Sequence, residues 1–258
     1  MANTPFKITP TRFSKGVTNN DQRHPLSRIG VLDQTKNHNY QQDFDQFVSG
    51  DWTTTVVGTG TAALVAGDGG ILELATSNAT NDSVIVTKLP AAFTLVAGYR
   101  AWFRMSLSLG DLSACQLIAG LVNAITGYAP TDGFWFSKAS GGTQFVFNQS
   151  AASTATSANL PANGSLPVGG NAVGSIAVNG GTPATNQFTI AARYDGGTNL
   201  EYFFNDVQLG SLAMPTLPTV NLTPAFGIKT SANAIKKMDV DFVQAIKQRQ
   251  DINPMLSP

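Results

Sequence analysis

This sequence predicts an all-β protein, an antiparallel β-sandwich preceded by an extended N-terminal arm, on three observations. From Asp43 onward apolar residues recur with a period of two rather than 3.6, which sends side chains alternately to the two faces of a strand. The 258 residues are 42% apolar and only 12% charged, with 25 glycines, a balance suited to short strands joined by tight turns around one large core. No segment carries an amphipathic helical stripe beyond a single turn near residues 243–248.

The strands follow in order. Residues 70–75 and 82–88 are short alternating or β-branched runs bounded by Gly, Asn, Asp and Pro. In residues 99–109, Tyr99, Ala101, Phe103, Met105, Leu107 and Leu109 share one face, while Arg100, Arg104, Ser106 and Ser108 take the other. Residues 116–122 and 133–137 are so densely apolar that they predict central strands covered on both faces. Residues 187–194 and 199–204 form a hairpin about Asp195-Gly196-Gly197-Thr198, where glycine makes a positive φ inexpensive, and Asn205-Asp206 turns the chain again into 207–212. Residues 237–242 alternate Met238, Val240 and Phe242 with Lys237, Asp239 and Asp241, the pattern of a half-exposed strand. Between Lys138 and Arg193 lie 54 residues without a charge. Flanking strands on both sides predict a loop or hairpin excursion around 149–186 packed closely on another backbone; a mobile surface loop is the alternative.

Formal neutrality hides a partition. Residues 1–42 hold six basic against two acidic side chains, a net +4; residues 43–228 hold five against eleven, −6; residues 229–258 hold five against three, +2. A basic arm ahead of an acidic body fits a segment that docks on an oppositely charged surface. Its contact residues are Phe6, Lys7, Arg12, Phe13, Lys15, Arg23 and Arg28. Phe6 and Phe13 stand in polar surroundings and need a pocket, and Pro5, Pro10 and Pro25 hold the backbone extended, which lowers the entropy lost on docking. A solvated leader is the alternative. The basic residues are spaced singly, unlike the phosphate-neutralising stripes of nucleic-acid binders, so nucleic acid is not an expected partner. The organisation is thus an arm at 1–42, a sandwich at 43–250 and a tail at 251–258.

Chemistry-bearing residues are scarce. Two glutamates, two histidines and one cysteine occur in the whole chain, which argues against general acid/base catalysis and against a metal centre. The single Cys115 has no intramolecular disulfide partner, residues 1–7 lack the apolar stretch of a secretion signal, and the longest apolar run, near 112–122, is too short for a membrane span and carries Gln116. These features predict synthesis in a reducing cytoplasm and no membrane partner.

The order of motifs carries a resemblance. An opening Asp43-Phe44-Asp45 with Trp52, the 70–74 strand, the long 99–109 strand, Gly120-Leu121, Asp132-Gly133-Phe134-Trp135-Phe136, Phe188 to Tyr194 with its Asp-Gly turn, Tyr202-Phe203-Phe204-Asn205-Asp206 and a final strand at 238–243 together resemble the concanavalin A-like (laminin-G-like) jelly roll. More narrowly, they are similar to versions found in tailed-bacteriophage virion proteins. The resemblance covers residues 43–249 and leaves out the arm. It implies a structural protein that decorates or cements the capsid by non-covalent binding to the major capsid protein, placed on the capsid surface after synthesis in the host cytoplasm, with no cofactor and no enzymatic activity. Trimerisation would follow from the symmetry sites of an icosahedral shell. Enzymatic members of this fold carry paired glutamates on one strand, whereas Glu73 and Glu201 are isolated in sequence. Calcium-dependent sugar-binding members need clustered Asp and Asn; Asp43/Asp45, Asp239/Asp241 and Asn205/Asp206 are the close groups, and alternation puts the Asp pairs on exposed strand faces. The alternative function is a carbohydrate-binding module of a tail or fibre protein that recognises the host surface, with Tyr128 and Trp135 stacking on the glycan; core packing is the competing role for these aromatics. Cys115 is expected to be a small buried apolar residue.

Overall fold

The computed structural model describes residues 37–67, 69–110, 114–141, 145–160 and 187–249. The arm residues Phe6, Lys7, Arg12, Phe13, Lys15, Arg23 and Arg28, the tail, and most of the predicted excursion, 161–186, lie outside them. Among the described residues there are fifteen strands and no helix. One sheet contains β1 (Asn37–Gln42), β3 (Thr61–Val65), β4 (Ile71–Ala75), β6 (Ala101–Leu109), β11 (Phe188–Tyr194), β12 (Asn199–Phe204), β13 (Val207–Ala213) and β15 (Lys237–Gln248). Its order is β13-β12-β11-β6-β15-β4-β3, with β1 also paired to β15. The other contains β2 (Trp52–Val57), β5 (Ser83–Lys88), β7 (Cys115–Val122), β8 (Gly133–Lys138), β9 (Val146–Ala151), β10 (Thr154–Asn159) and β14 (Thr223–Thr230), in the order β10-β9-β8-β7-β14-β5-β2. All pairings are antiparallel, so the expected sandwich is the observed one.

Alternation explains the core. Phe103, Met105 and Leu107 of β6 with Ile190 and Ala192 of β11 supply one wall. Leu117, Ala119 and Leu121 of β7, Phe134 and Phe136 of β8, and Phe226 and Ile228 of β14 supply the other. Aromatic rings tie the sheets together: Phe147 of β9 lies 4.9 Å from Tyr202 of β12, and Phe145 meets Phe188 edge-on at 5.9 Å. Phe226 packs against both Trp52 and Phe44, locking β2 and the segment behind β1 onto the core. The two hairpins form at the residues expected. The Asp195 carboxylate accepts from the N–H groups of Gly197 and Asn199, and Gly196 takes φ +87°. Asn205 and Asp206 both adopt positive φ.

Four features differ from the sequence reading. The strand β1 falls inside the stretch assigned to the arm; Asn37–Gln42 pairs along Val243–Gln248, so the sandwich includes residues before Asp43. That same pairing makes residues 243–248 the end of β15 rather than a helical turn, because β1 and β6 satisfy the strand's backbone on both sides. A register shift between Val240 and Phe242 then reverses the phase of β15: Met238 and Val240 face the core, but beyond the bulge Val243 and Ala245 do, and Phe242 turns outward. Finally, β2, β3 and β14 are strands in segments for which the sequence predicts none, whereas the β9–β10 hairpin falls where a loop or hairpin excursion is expected.

Candidate functional site

The outer face of the seven-stranded sheet holds both aromatic candidates. Trp135 points away from the core because Phe134 and Phe136 point into it, and its strand neighbours on that face are Gly120 and Asn148. Gly120 makes room for the indole: a Cβ there would lie 2.4 Å from the Trp135 Cβ. Around the indole, Ile85, Ile118, Val122 and Ala225 form a second, smaller apolar cluster. The 123–132 loop folds over this cluster, burying Ile125 within it and packing Tyr128 against it, with the Tyr128 hydroxyl donating to the Val84 carbonyl at 3.5 Å. Burial, and secondarily Cys115, pushes the Tyr128 phenol well above its ordinary value.

The loop is held at its base. The Asp132 N–H donates to the Asn123 side-chain oxygen and the Asn123 N–H to the Asp132 carbonyl, while the Asp132 carboxylate accepts from the Ala152 N–H at 2.8 Å and from the Thr131 hydroxyl. Ser150 and Ser153 fasten the Thr131 carbonyl to the β9–β10 turn. The structure therefore brings Tyr128 and Trp135 onto one apolar cluster. It leaves the indole 7% exposed, without an open face for a sugar. Sequence reasoning missed the closing loop because Ile125 and Tyr128, its large apolar residues, stand among small and polar ones with no strand or helix period.

The outer face of the eight-stranded sheet carries the charges. Arg104 grips Asp206 with two hydrogen bonds, 3.2 and 2.8 Å, and lays its guanidinium 5.2 Å from the Phe242 ring centre. Arg193, itself buried, pairs with Glu201 across the β11–β12 ladder and covers Phe203. Asn205 accepts from the Thr189 N–H at 2.9 Å. The Asn205/Asp206 corner is thus an ion-paired turn. Among the described residues no group of three or more His, Cys, Asp or Glu could hold a metal ion.

Glu73 and Glu201 sit on β4 and β12, four strand spacings apart in the sheet order. At about 4.8 Å per strand they are roughly 19 Å apart, too far to share a glycosidic bond. The carboxylates that do meet are Glu73 and Asp239, direct cross-strand partners 166 positions apart in the chain. Lys237 donates to Glu73 at 2.7 Å. Burial, then the Glu73 charge, pushes Asp239 above its ordinary value despite a Ser108 hydroxyl at 3.4 Å. No local sequence signal marks this pair, since only strand order creates it. Cys115 is buried in the core, as expected.

No protein-family model matches the chain, and no curated protein sequence does. Solved structures do. The endo-1,3-β-glucanase of Streptomyces sioyaensis superposes with a TM-score of 0.57 at 11% identity, covering 86% of this chain and all of that one. Bacillus licheniformis β-glucanase gives 0.54 at 8% identity, covering 83% and 98%. A Shewanella oneidensis MR-1 protein of unknown function gives 0.52 at 11% identity, covering 84% and 90%. Likenesses at such identities show a common architecture, and the fold is a concanavalin A-like jelly-roll sandwich.

Proposed function

We propose that this chain is a structural protein of a tailed-phage virion, a jelly-roll block that decorates or cements the capsid, with its basic N-terminal arm bound non-covalently to the major capsid protein. The observation that carries the reading is the charge partition, a +4 leader ahead of a −6 body, which suits an arm that docks on an oppositely charged surface, that of a neighbouring copy or of another protein. The body is consistent with a building block. Its two glutamates are separated by the width of several strands, and its strongest candidate for a sugar platform, Trp135, is covered by its own loop. That cover weighs against the carbohydrate-binding alternative, for which a glycan must reach an aromatic face.

The test is removal of residues 1–36, which leaves β1 in place. Capsids assembled without this protein would be mixed with the full chain or the truncated one, and binding followed by co-sedimentation. The truncated protein is expected to keep its β-sheet circular dichroism and lose capsid binding. Undiminished binding by the folded, truncated protein would refute the arm's role, and absence of binding by the full chain would refute the virion reading itself.

A further inference from the structure

We infer that β2, the edge strand of the seven-stranded sheet among the described residues, is a self-association surface on which a second copy of this chain pairs strand to strand across a two-fold axis. Every other residue of an edge strand turns its backbone N–H and C=O away from the sheet. Natural edges are commonly blunted by lysine, proline or a bulge. Residues 52–65 contain no charged residue and no proline, and β2 runs beside β5 from Trp52↔Lys88 to Val57↔Ser83 without a register shift. Among the described residues the strand is a regular ribbon paired on one side only.

Apolar exposure concentrates at the same place. Seven large apolar side chains are exposed among the described residues, and four of them, Val48, Val56, Val57 and Leu64, lie on β2, just before it, or on β3, the matching edge of the other sheet. A fifth, Leu89, donates its N–H to the Asp51 carbonyl at 2.7 Å and so sits at the start of β2. The opposite edges, β10 and β13, are also uncharged but expose no large apolar side chain. Such a local concentration marks a contact surface.

The absence of charge suits a second copy of the strand. In an isologous contact each residue near the axis faces itself or a close neighbour, so a charge there would oppose its own copy. With Thr54 on the axis Asp51 faces Val57 of the second copy, and with Thr55 on the axis it faces Thr59; in neither register does it meet a like charge. A strand adapted to a charged foreign partner would carry the complementary charge, and β2 carries none. The inference is independent of the virion reading, and its two-fold symmetry departs from the trimer expected from sequence.

Sedimentation velocity of the full chain over a wide concentration range tests it. The mass should rise from 27.1 kDa toward twice that value as concentration increases. Thr55→Lys sets like charges across the axis and should weaken association at least about tenfold, whereas Thr156→Lys on β10 should leave it unchanged. Of the variants Thr54→Cys and Thr55→Cys, each of which adds one cysteine to the buried Cys115, the one on the axis should yield a disulfide-linked dimer on oxidation, while the parent chain should not. A parent chain that stays monomeric, a folded Thr55→Lys that associates as tightly as the parent, or failure of both cysteine variants to cross-link would each overturn the inference.

Discussion

Replacing Phe242 and Val243, one at a time, with asparagine measures which of these two neighbours belongs to the core. Strict alternation along β15 puts Phe242 with Met238 and Val240 inside, whereas the bulge after Val240 puts Val243 inside, fully buried opposite Met105, and turns Phe242 outward opposite Ser106. Val243→Asn removes about 1.5–2 kcal/mol of burial and strands an amide among apolar groups at a further ~1–3 kcal/mol, giving a loss of roughly 3–5 kcal/mol. Phe242 is half-buried. Its replacement loses about 1 kcal/mol of burial and ~0.5–1 kcal/mol of cation–π attraction to Arg104. Urea unfolding followed by tryptophan fluorescence gives both values, and Val243→Asn should exceed Phe242→Asn by about 1–3.5 kcal/mol. In a domain this large the difference amounts to a midpoint lower by several degrees, roughly 2–4 °C per kcal/mol. Equal losses, or a larger loss for Phe242→Asn, would mean that the strand keeps its phase and that the bulge argument is wrong.

Two further outcomes are expected. Gly120→Ala should destabilise by about 1–3 kcal/mol in the same unfolding assay, since a Cβ there meets the Phe134 carbonyl at 2.4 Å and the Trp135 Cα at 2.5 Å; a neutral result would show that β7 and β8 have slack between them. Asp239→Asn should stabilise the protein at neutral pH. Burial and Glu73 raise the folded-state value of Asp239 above 3.8, so its favourable contribution is complete below the unfolded-chain value and is lost as pH rises through the raised one. Thermal midpoints of parent and variant should therefore converge as pH falls toward 4, and a variant less stable than the parent at pH 7 would refute the assignment.

How much of this was legible in the sequence depends on where each strand sits. Central strands β6, β7 and β8 read directly because burial on one or both faces forces an apolar pattern on them, whereas β14, TPAFGIKT, equally central, did not, its apolar run being broken by Pro224 and Gly227. The turns at Asp195-Gly196 and Asn205-Asp206 read equally well, because few residues accept their backbone angles. Edge strands β2, β3 and β10 left no such trace: WTTTVV, TAALV and TATSAN are largely exposed and need satisfy no core. Likewise β1, whose sequence NHNYQQ reads as polar leader, is a strand only because β15 lies beside it.

The same division separates the parts of the candidate sites. Trp135 and Tyr128 were visible as aromatics, but whether either ring is available depends on the path of the 123–132 loop, which is fixed by hydrogen bonds from Asp132, Thr131 and Ser150 that no periodicity encodes. Glu73 and Asp239 meet only because β4 and β15 are neighbours. Residue type limits the chemistry a chain can perform, and strand order decides which of those residues act together. In this chain strand order separates Glu73 from Glu201, sets Glu73 beside Asp239, and, among the described residues, places uncharged β2 at the edge of its sheet.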